Sequence, residues 1–326
     1  MSQAVCLICG SQDHEVWVKD YEPLRLVDHP YSILQCHECH FKFVYPKPSL
    51  EDQKNFYGPG FYISPNSRGR MFRILECVKN IFCGLRLQMI ARWIKKPGIV
   101  LDIGCGNGDF LDAMQRRGWQ VSGVDSSKES CRLAREKVGE SVFCGNLSEC
   151  NFKDGSYDMI TLWHVPEHVA DLDLLLKKIY ALLHEKGILV IAIPNAQGVA
   201  EVLKSRWVFL DLPRHLYHFQ AKHLQKILQR NNFQVKKQIF FSWEYSPMAL
   251  LLNFLNLITT QKLYLYYLLK RRNLGNLKLS VPEHVYNFLI SIAGVVILWF
   301  PAVLLSVVLA VFRSGDNLTV IAGKRT

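Results

Sequence analysis

The run GIVLDIGCGNGDFLDAMQRRG, residues 98–118, constrains the fold more than any other part of the chain. Ile99 to Ile103 form a short apolar run of strand length. Gly104, Gly106 and Gly108 follow as a turn, and then Phe110, Leu111 and Met114 recur at helical spacing. A strand that passes through a glycine turn into a helix is the opening of a β–α–β unit. Glycines at the turn let the backbone approach a ligand closely, and the helix N-terminus offers unpaired N–H groups. Short apolar runs keep alternating with helix-period segments from 98 to 240. The expected fold class is therefore α/β, a parallel sheet with crossover helices, and 326 residues leave room for appendages.

A dinucleotide fingerprint needs G-x-G-x-x-G, but Asp109 holds the place of the third glycine. The spacing is G-x-G-x-G, preceded by an acid at Asp102. Three further stations follow in order. WQVSGVD is a second strand ending in Asp125, where a carboxylate can accept ribose hydroxyls. FCGNLSECNFKDGSYDMITLWHV puts Gly145, Asn146 and Leu147 on a turn, with Asp158 opening a further strand. The helix DLDLLLKKIYALLHEKG then leads to the strand ILVIAIPN. From residue 98 to about 243 this series resembles the class I S-adenosylmethionine-dependent methyltransferases. It is similar to the ubiquinone-biosynthesis-like O-methyltransferases and to the type with an N-terminal four-cysteine zinc ribbon.

The resemblance implies a Rossmann-like seven-stranded sheet with S-adenosyl-L-methionine as cofactor. It implies that Asp102 orients the glycine loop and the amino-acid end of the cofactor. Gly104, Cys105 and Gly106 form the loop that makes room for its methionine and ribose. Asp125 holds the ribose, Asn146 and Leu147 contact adenine, and Trp163 with His164 lines the methyl-bearing side.

The N-terminal spacing is Cys6-x-x-Cys9, 26 residues, then Cys36-x-x-Cys39. Two thiolates three apart on a turn can point at one ion, and two such turns complete a tetrahedral site. Residues 1–45 therefore read as a zinc ribbon whose Zn2+ is structural, since four protein ligands leave no position for a substrate. His14, His37 and His40 are alternative ligands. The N-terminus has no basic region followed by an apolar run, and ten cysteines without a secretory leader argue for a reducing compartment.

The letters H-V-P-E-H, His164 to His168, match a zinc-protease pattern. That chemistry needs both histidines on one helix, and here a proline interrupts a loop leaving a strand. The related quinone O-methyltransferases read E-x-x-E-H at this place and can hold a divalent ion; His164 replaces the first acid, which puts such an ion in doubt. Methyl transfer to a hydroxyl needs a base, and histidine suits that role near neutral pH. The candidates are His164 and the pair in DLPRHLYHF, His215 and His218, with His215 favoured. Arg214 could bind an anionic group on the acceptor, and packing of the following helix is the plainer reading of these histidines.

The last constraint is FLISIAGVVILWFPAVLLSVVLAVF, residues 288–312, which carries no charge. FQVKKQIFF (233–241) and NLTVIAGKR (317–325) read as the last two strands of one sheet, so about 75 residues intervene between neighbours. One helix over the apolar stretch would reach roughly 37 Å, enough for a hydrocarbon core of about 30 Å. A single crossing would strand the final strand on the wrong side. Three arrangements remain: a dip into the bilayer turning at Pro301, two spans, or helices buried against the protein or a second copy. The dip is favoured, because proline would break the run into two legs too short to span. Eight Lys/Arg against Glu283 and Asp316 between 261 and 326 favour a surface of anionic lipids.

The expected division is a zinc ribbon (1–45), a linker with N-terminal helices (46–97), a methyltransferase domain (98–243 plus 313–326) and a hydrophobic membrane-associating insertion (244–312). The expected activity is O-methylation of a hydrophobic or lipid-linked acceptor, quinone-like or a glycolipid precursor, on the cytosolic membrane face. A catalytically idle membrane-docked binding module and an RNA methyltransferase are the alternatives. The net charge of +11 permits nucleic acid, but the uncharged apolar run has no use there.

Overall fold

The computed structural model describes residues 4–22, 29–49, 52, 70–94, 96–269 and 279–325, and of 70–79 only the backbone. Most of the aromatic, proline-rich stretch after Tyr45 lies outside these residues, as do Lys270, Arg271, Arg272 and Lys278 of the basic group.

Three strands come first: β1 (His14–Asp20), β2 (Tyr31–Cys36) and β3 (Lys42–Tyr45). Helix α1 (Arg70–Ala91) precedes the alternating part, which runs β4 (Ile99–Ile103), α2 (Asp109–Gln115), β5 (Gln120–Asp125), α3 (Lys128–Val138), β6 (Val142–Cys144), β7 (Tyr157–Trp163), α4 (Leu172–Leu182) and β8 (Leu183–Pro194). Then come α5 (Val199–Leu203), β9 (Tyr217–His218), α6 (Ala221–Arg230) and β10 (Phe233–Ile239). The C-terminal part holds α7 (Ser246–Ile258), α8 (Tyr264–Leu269), α9 (Val281–Val311) and β11 (Asn317–Lys324). The chain forms two compact units. One joins Met1–Ile63, Pro194–Leu224 and Ile239–Leu318; the other joins Ser64–Ile193, Gln225–Gln238 and Thr319–Thr326.

The second unit is built on a seven-stranded sheet of order β10-β11-β8-β7-β4-β5-β6. β4 pairs in parallel with β5 and with β7, and β7 with β8. These central strands are buried on both faces, which explains their continuous apolar runs: Val100, Leu101, Ile160, Leu162, Leu189 and Val190 are all inaccessible. This is the α/β, Rossmann-like sheet that the sequence predicts. The final strand β11 enters between β10 and β8, with the apolar helices inserted ahead of it.

The first unit holds a four-stranded sheet of order β1-β2-β3-β9. β9 pairs antiparallel with β3, matching Lys42 to His218 and Phe43 to Tyr217. Its core gathers Val18, Tyr31, Ile33 and Val44 with Ala196, Trp207, Leu210 and Leu212. The histidine-bearing segment therefore completes the cysteine-bearing sheet.

In the same unit α9 corrects the expected turn at Pro301. It is one helix of 31 residues with Pro301 inside it. The proline removes one N–H, which would have paired with the Ile297 carbonyl, at a cost of about 3 kcal/mol. Packing on the opposite face holds the two halves in line. Asn287, Ser291, Gly294, Ala302 and Ser306 form the buried stripe, and Leu250, Leu251 and Leu255 of α7 share a core with Ala302. A side chain at Gly294 would run into Leu255. The end near Asn287 is fixed as well. Asn287 bonds Thr260 through its Oδ1 (2.9 Å) and Nδ2 (2.8 Å), and Lys262 pairs with Asp20 at the end of β1. Beyond the helix, Asn195 Nδ2 donates to the Gly315 carbonyl at 2.8 Å.

Candidate active site

The glycine turn sits between the ends of β4 and β5. Gly104 and Cys105 both donate backbone N–H groups to the Val124 carbonyl (2.7 and 3.1 Å). Gly104 has φ +72° and faces Val165 so closely that a Cβ would clash. Gly106 has φ +52°, and a Cβ there would meet nothing within 4 Å, so this part of the loop borders open space. Asp125 fastens the turn: its Oδ2 accepts from Gly106 N (2.9 Å) and its Oδ1 from Ser127 N (2.8 Å). Each oxygen keeps a further lone pair that a hydroxyl could use. Burial pushes the Asp125 carboxyl up, against these two bonds.

Asp102 lies beneath the turn, buried, and accepts from Thr161 Oγ1 at 2.6 Å. Burial raises its carboxyl to about 7, although the Thr161 bond and the Arg86 charge pull it down. Asn146 is tied to Glu149, donating from its backbone N (3.2 Å) and Nδ2 (2.9 Å), and Leu147 is buried beside it. Trp163 ends β7, with the ring of Phe110 edge-on at 5.3 Å and the Arg86 guanidinium 4.7 Å over its centroid. Its buried Nε1 has no partner among the described residues. His164 follows with φ +56° and places Nδ1 3.3 Å from Glu167 Oε1.

His215 and His218 belong to the other unit. His215 donates from Nδ1 to the Phe209 carbonyl at 2.8 Å, which puts its lone pair on Nε2, 3.7 Å from Asp211 Oδ2. His218 is 2% exposed and donates from Nε2 to the Leu210 carbonyl at 3.0 Å. Burial and the neighbouring His215 push its pKa down to about 3. Arg214 is buried against Glu22 (3.0 Å) and Asp211.

A family profile described as "Methyltransferase domain" matches residues 78–238, the stretch that contains the glycine turn and the central strands. The chain carries a class I S-adenosylmethionine-dependent methyltransferase domain. It is similar to the Ubiquinone biosynthesis O-methyltransferase of Mesorhizobium japonicum, 29% identical over 186 residues, 51% of this chain and 74% of that one. The enzyme of the same name from Xanthomonas campestris pv. campestris is 30% identical over 146 residues, 42% of this chain and 61% of that one. The match thus spans less than two thirds of this second relative's length. Among solved structures, a SAM dependent methyltransferase from Archaeoglobus fulgidus aligns with TM-score 0.49 at 21% identity, covering 78% of this chain and all of that one.

The turn fits such a cofactor in shape and in polar groups: open space at Gly106, an Asp125 carboxylate with spare acceptor capacity, and a Trp163 N–H without a partner among the described residues. Arg86 was not picked out by the sequence reading. It adds a positive charge beside Trp163, suited to the carboxylate of an amino-acid moiety. Its only sequence signal is membership of the basic helical run before the turn.

The four cysteines do come together. Cys6 and Cys39 sulfurs lie 3.5 Å apart, as do those of Cys9 and Cys36, and all four fall within 4.8 Å of one another. Four Zn–S bonds of about 2.3 Å span a tetrahedron of that scale. His14, His37 and His40 are not in the group. His223, another residue that the sequence reading passed over, donates from Nε2 to the Cys39 carbonyl (2.9 Å) while Nδ1 accepts from Gln220 N (3.2 Å). Both its nitrogens are thus fixed, and burial lowers its pKa to about 4, which keeps it neutral.

Proposed function

We propose that this methyltransferase O-methylates a hydrophobic or lipid-linked acceptor while resting on an anionic, cytosolic membrane face. One observation carries the reading: α9 is long and apolar enough to cross a membrane by length and composition, yet only 17% of its most apolar window is buried. Val296 (78% exposed), Phe300 (75%), Ile297 and Leu304 lie on its bare side. A patch of this kind marks an interaction surface. The helix lies along the lipid and does not cross it. The end near Asn287 is bonded to the α7–α8 turn, and that turn is ion-paired through Lys262 to Asp20 of the cysteine-bearing sheet. A crossing would drag these polar pairs into hydrocarbon.

The cysteine cluster holds a structural Zn2+ in this reading. When bound, S-adenosylmethionine supplies an already activated methyl group, so the protein aligns the acceptor and removes its proton. Asp102, Gly104, Cys105 and Gly106 shape the cofactor loop, Asp125 takes the ribose, Asn146 and Leu147 border the base, and Arg86 with Trp163 receives the amino-acid end. His215 is the preferred base, receiving the hydroxyl proton at Nε2, with Asp211 placed to stabilise the charge the ring gains. His164, steadied by Glu167, is the second candidate. His218 stays neutral and packs the sheet.

The test joins lipid binding to chemistry. Wild type and the exposed-face variant Val296→Glu/Phe300→Glu are floated with vesicles containing anionic lipid, and labelled methyl is followed into lipid extract. Flotation and labelling should both fall in the variant while its melting temperature holds. Equal flotation of the two proteins refutes the membrane reading.

A further inference from the structure

The first unit contains a cavity of about 160 Å3, lined in part by Asp211, to which the roles above assign no ligand. It is bounded by residues 20–22 at the end of β1, by residues 205–212 ahead of β9, and by residues 256–263 from the end of α7 into the α7–α8 turn. We propose that this cavity seats the headgroup of the acceptor, and that the headgroup is an uncharged, hydroxyl-rich ring. The proposal rests on the reading of the protein as a membrane-docked methyltransferase, and names its substrate class.

Charge is the first argument. Among the described residues, the lining carries the carboxylates of Asp20, Glu22 and Asp211 and the single ammonium of Lys262. Lys262 is committed to Asp20, and the buried Arg214 to Glu22 and Asp211. Cations already engaged in this way are poor hosts for a phosphate or carboxylate, which would also face three acids. An ion-paired carboxylate still has lone pairs to offer, and a hydroxyl donates to one without bringing charge. Thr260 and Gln261 add a hydroxyl and an amide to the lining.

Size and place are the second argument. The cavity is smaller than the roughly 300–1,000 Å3 of sites that enclose a drug-sized molecule. It suits one small ring, with the rest of the ligand outside. Thr260, on its wall, is the residue that bonds Asn287 of α9. The cavity therefore lies beside the Asn287 end of the apolar helix pair, where a headgroup can sit while its tail remains in lipid.

The probe is octyl β-glucoside below its micellar concentration, compared by calorimetry with octyl phosphate and octyltrimethylammonium. The glucoside should bind at least tenfold more tightly than either charged probe. Ser205→Trp, which fills the cavity, should abolish glucoside binding with S-adenosylmethionine affinity and melting temperature unchanged. Should that variant fail to fold, Gln261→Leu decides, with a several-fold loss expected. Equal binding of the three probes, preference for a charged one, or undiminished glucoside binding in the variants overturns the proposal. Failure of the broader reading looks different: wild type then labels no lipid at all, whatever the glucoside does. Persistent lipid labelling by Ser205→Trp removes the subsite alone.

Discussion

The glycine turn at 104–108 and the histidine segment at 211–223 are both shaped by polar contacts, but they are held in opposite ways. The turn is fixed by near neighbours: Val124 and Asp125, at the end of the next strand, receive its N–H groups. The histidine segment is fixed by residues almost two hundred positions away. Arg214 reaches Glu22, His223 reaches the Cys39 carbonyl, and His218 pairs with Lys42 across two strands. Local wiring survives damage elsewhere in the chain. Remote wiring ties the candidate base to the cysteine cluster.

The largest test of this contrast is Cys36→Ser. Removing one of four ligands should abolish stoichiometric zinc and lower the melting temperature by about 10 °C or more, since metal binding and folding of such segments are linked. Methyl transfer should disappear while calorimetry still finds S-adenosylmethionine binding. Loss of both together would break the contrast. Next, His215→Asn should cut turnover by about 10²–10⁴-fold, the usual worth of a general base, with cofactor affinity intact. Gly106→Val should do the reverse. Its positive φ disfavours a β-branched residue, and cofactor affinity should fall on the order of a hundredfold with melting little changed. His223→Ala should weaken zinc retention by about 10–100-fold in a chelator competition, as loss of outer hydrogen bonds does at other metal sites.

The smallest effect is electrostatic. Asp316 accepts from Trp207 Nε1 (3.2 Å) and Asn253 Nδ2 (3.3 Å), yet burial raises its carboxyl to about 7. A folded pKa above the unfolded one means that the folded chain holds the proton more tightly. That contribution is complete below about pH 4 and is lost as pH rises through 7. The melting temperature should fall across this window in wild type, and the fall should be shallower in Asp316→Asn.

The same contrast explains how much of the molecule can be read from its sequence. The seven-stranded sheet and the turn were legible because Asp102, the glycines and Asp125 lie within one β–α–β unit, where spacing is geometry. The cysteine pairs were legible because each sits on its own tight turn. Arg86 was not, since a basic residue on a helix carries no motif, and only the tertiary fold sets it over Trp163. His223 lies in a helix whose spacing gives no hint of Cys39. Pro301 misled for a related reason. The local rule says break, but Leu255 against Gly294 and the α7 leucines around Ala302 decide otherwise.

The fastening of Lys262 to Asp20 and of Asn287 to Thr260 has a kinetic consequence. An apolar hairpin sewn down at this end, and held beyond its far end by Asn195 and Gly315, cannot swing away from its body. On the proposed lipid surface the unit would land and lift off as one rigid piece, with no extended intermediate. The number of acceptors met per landing would then follow from residence time, and strengthening the two fastenings would leave it unchanged. The outward side chains of α9, Val296 and Phe300 among them, would set that clock.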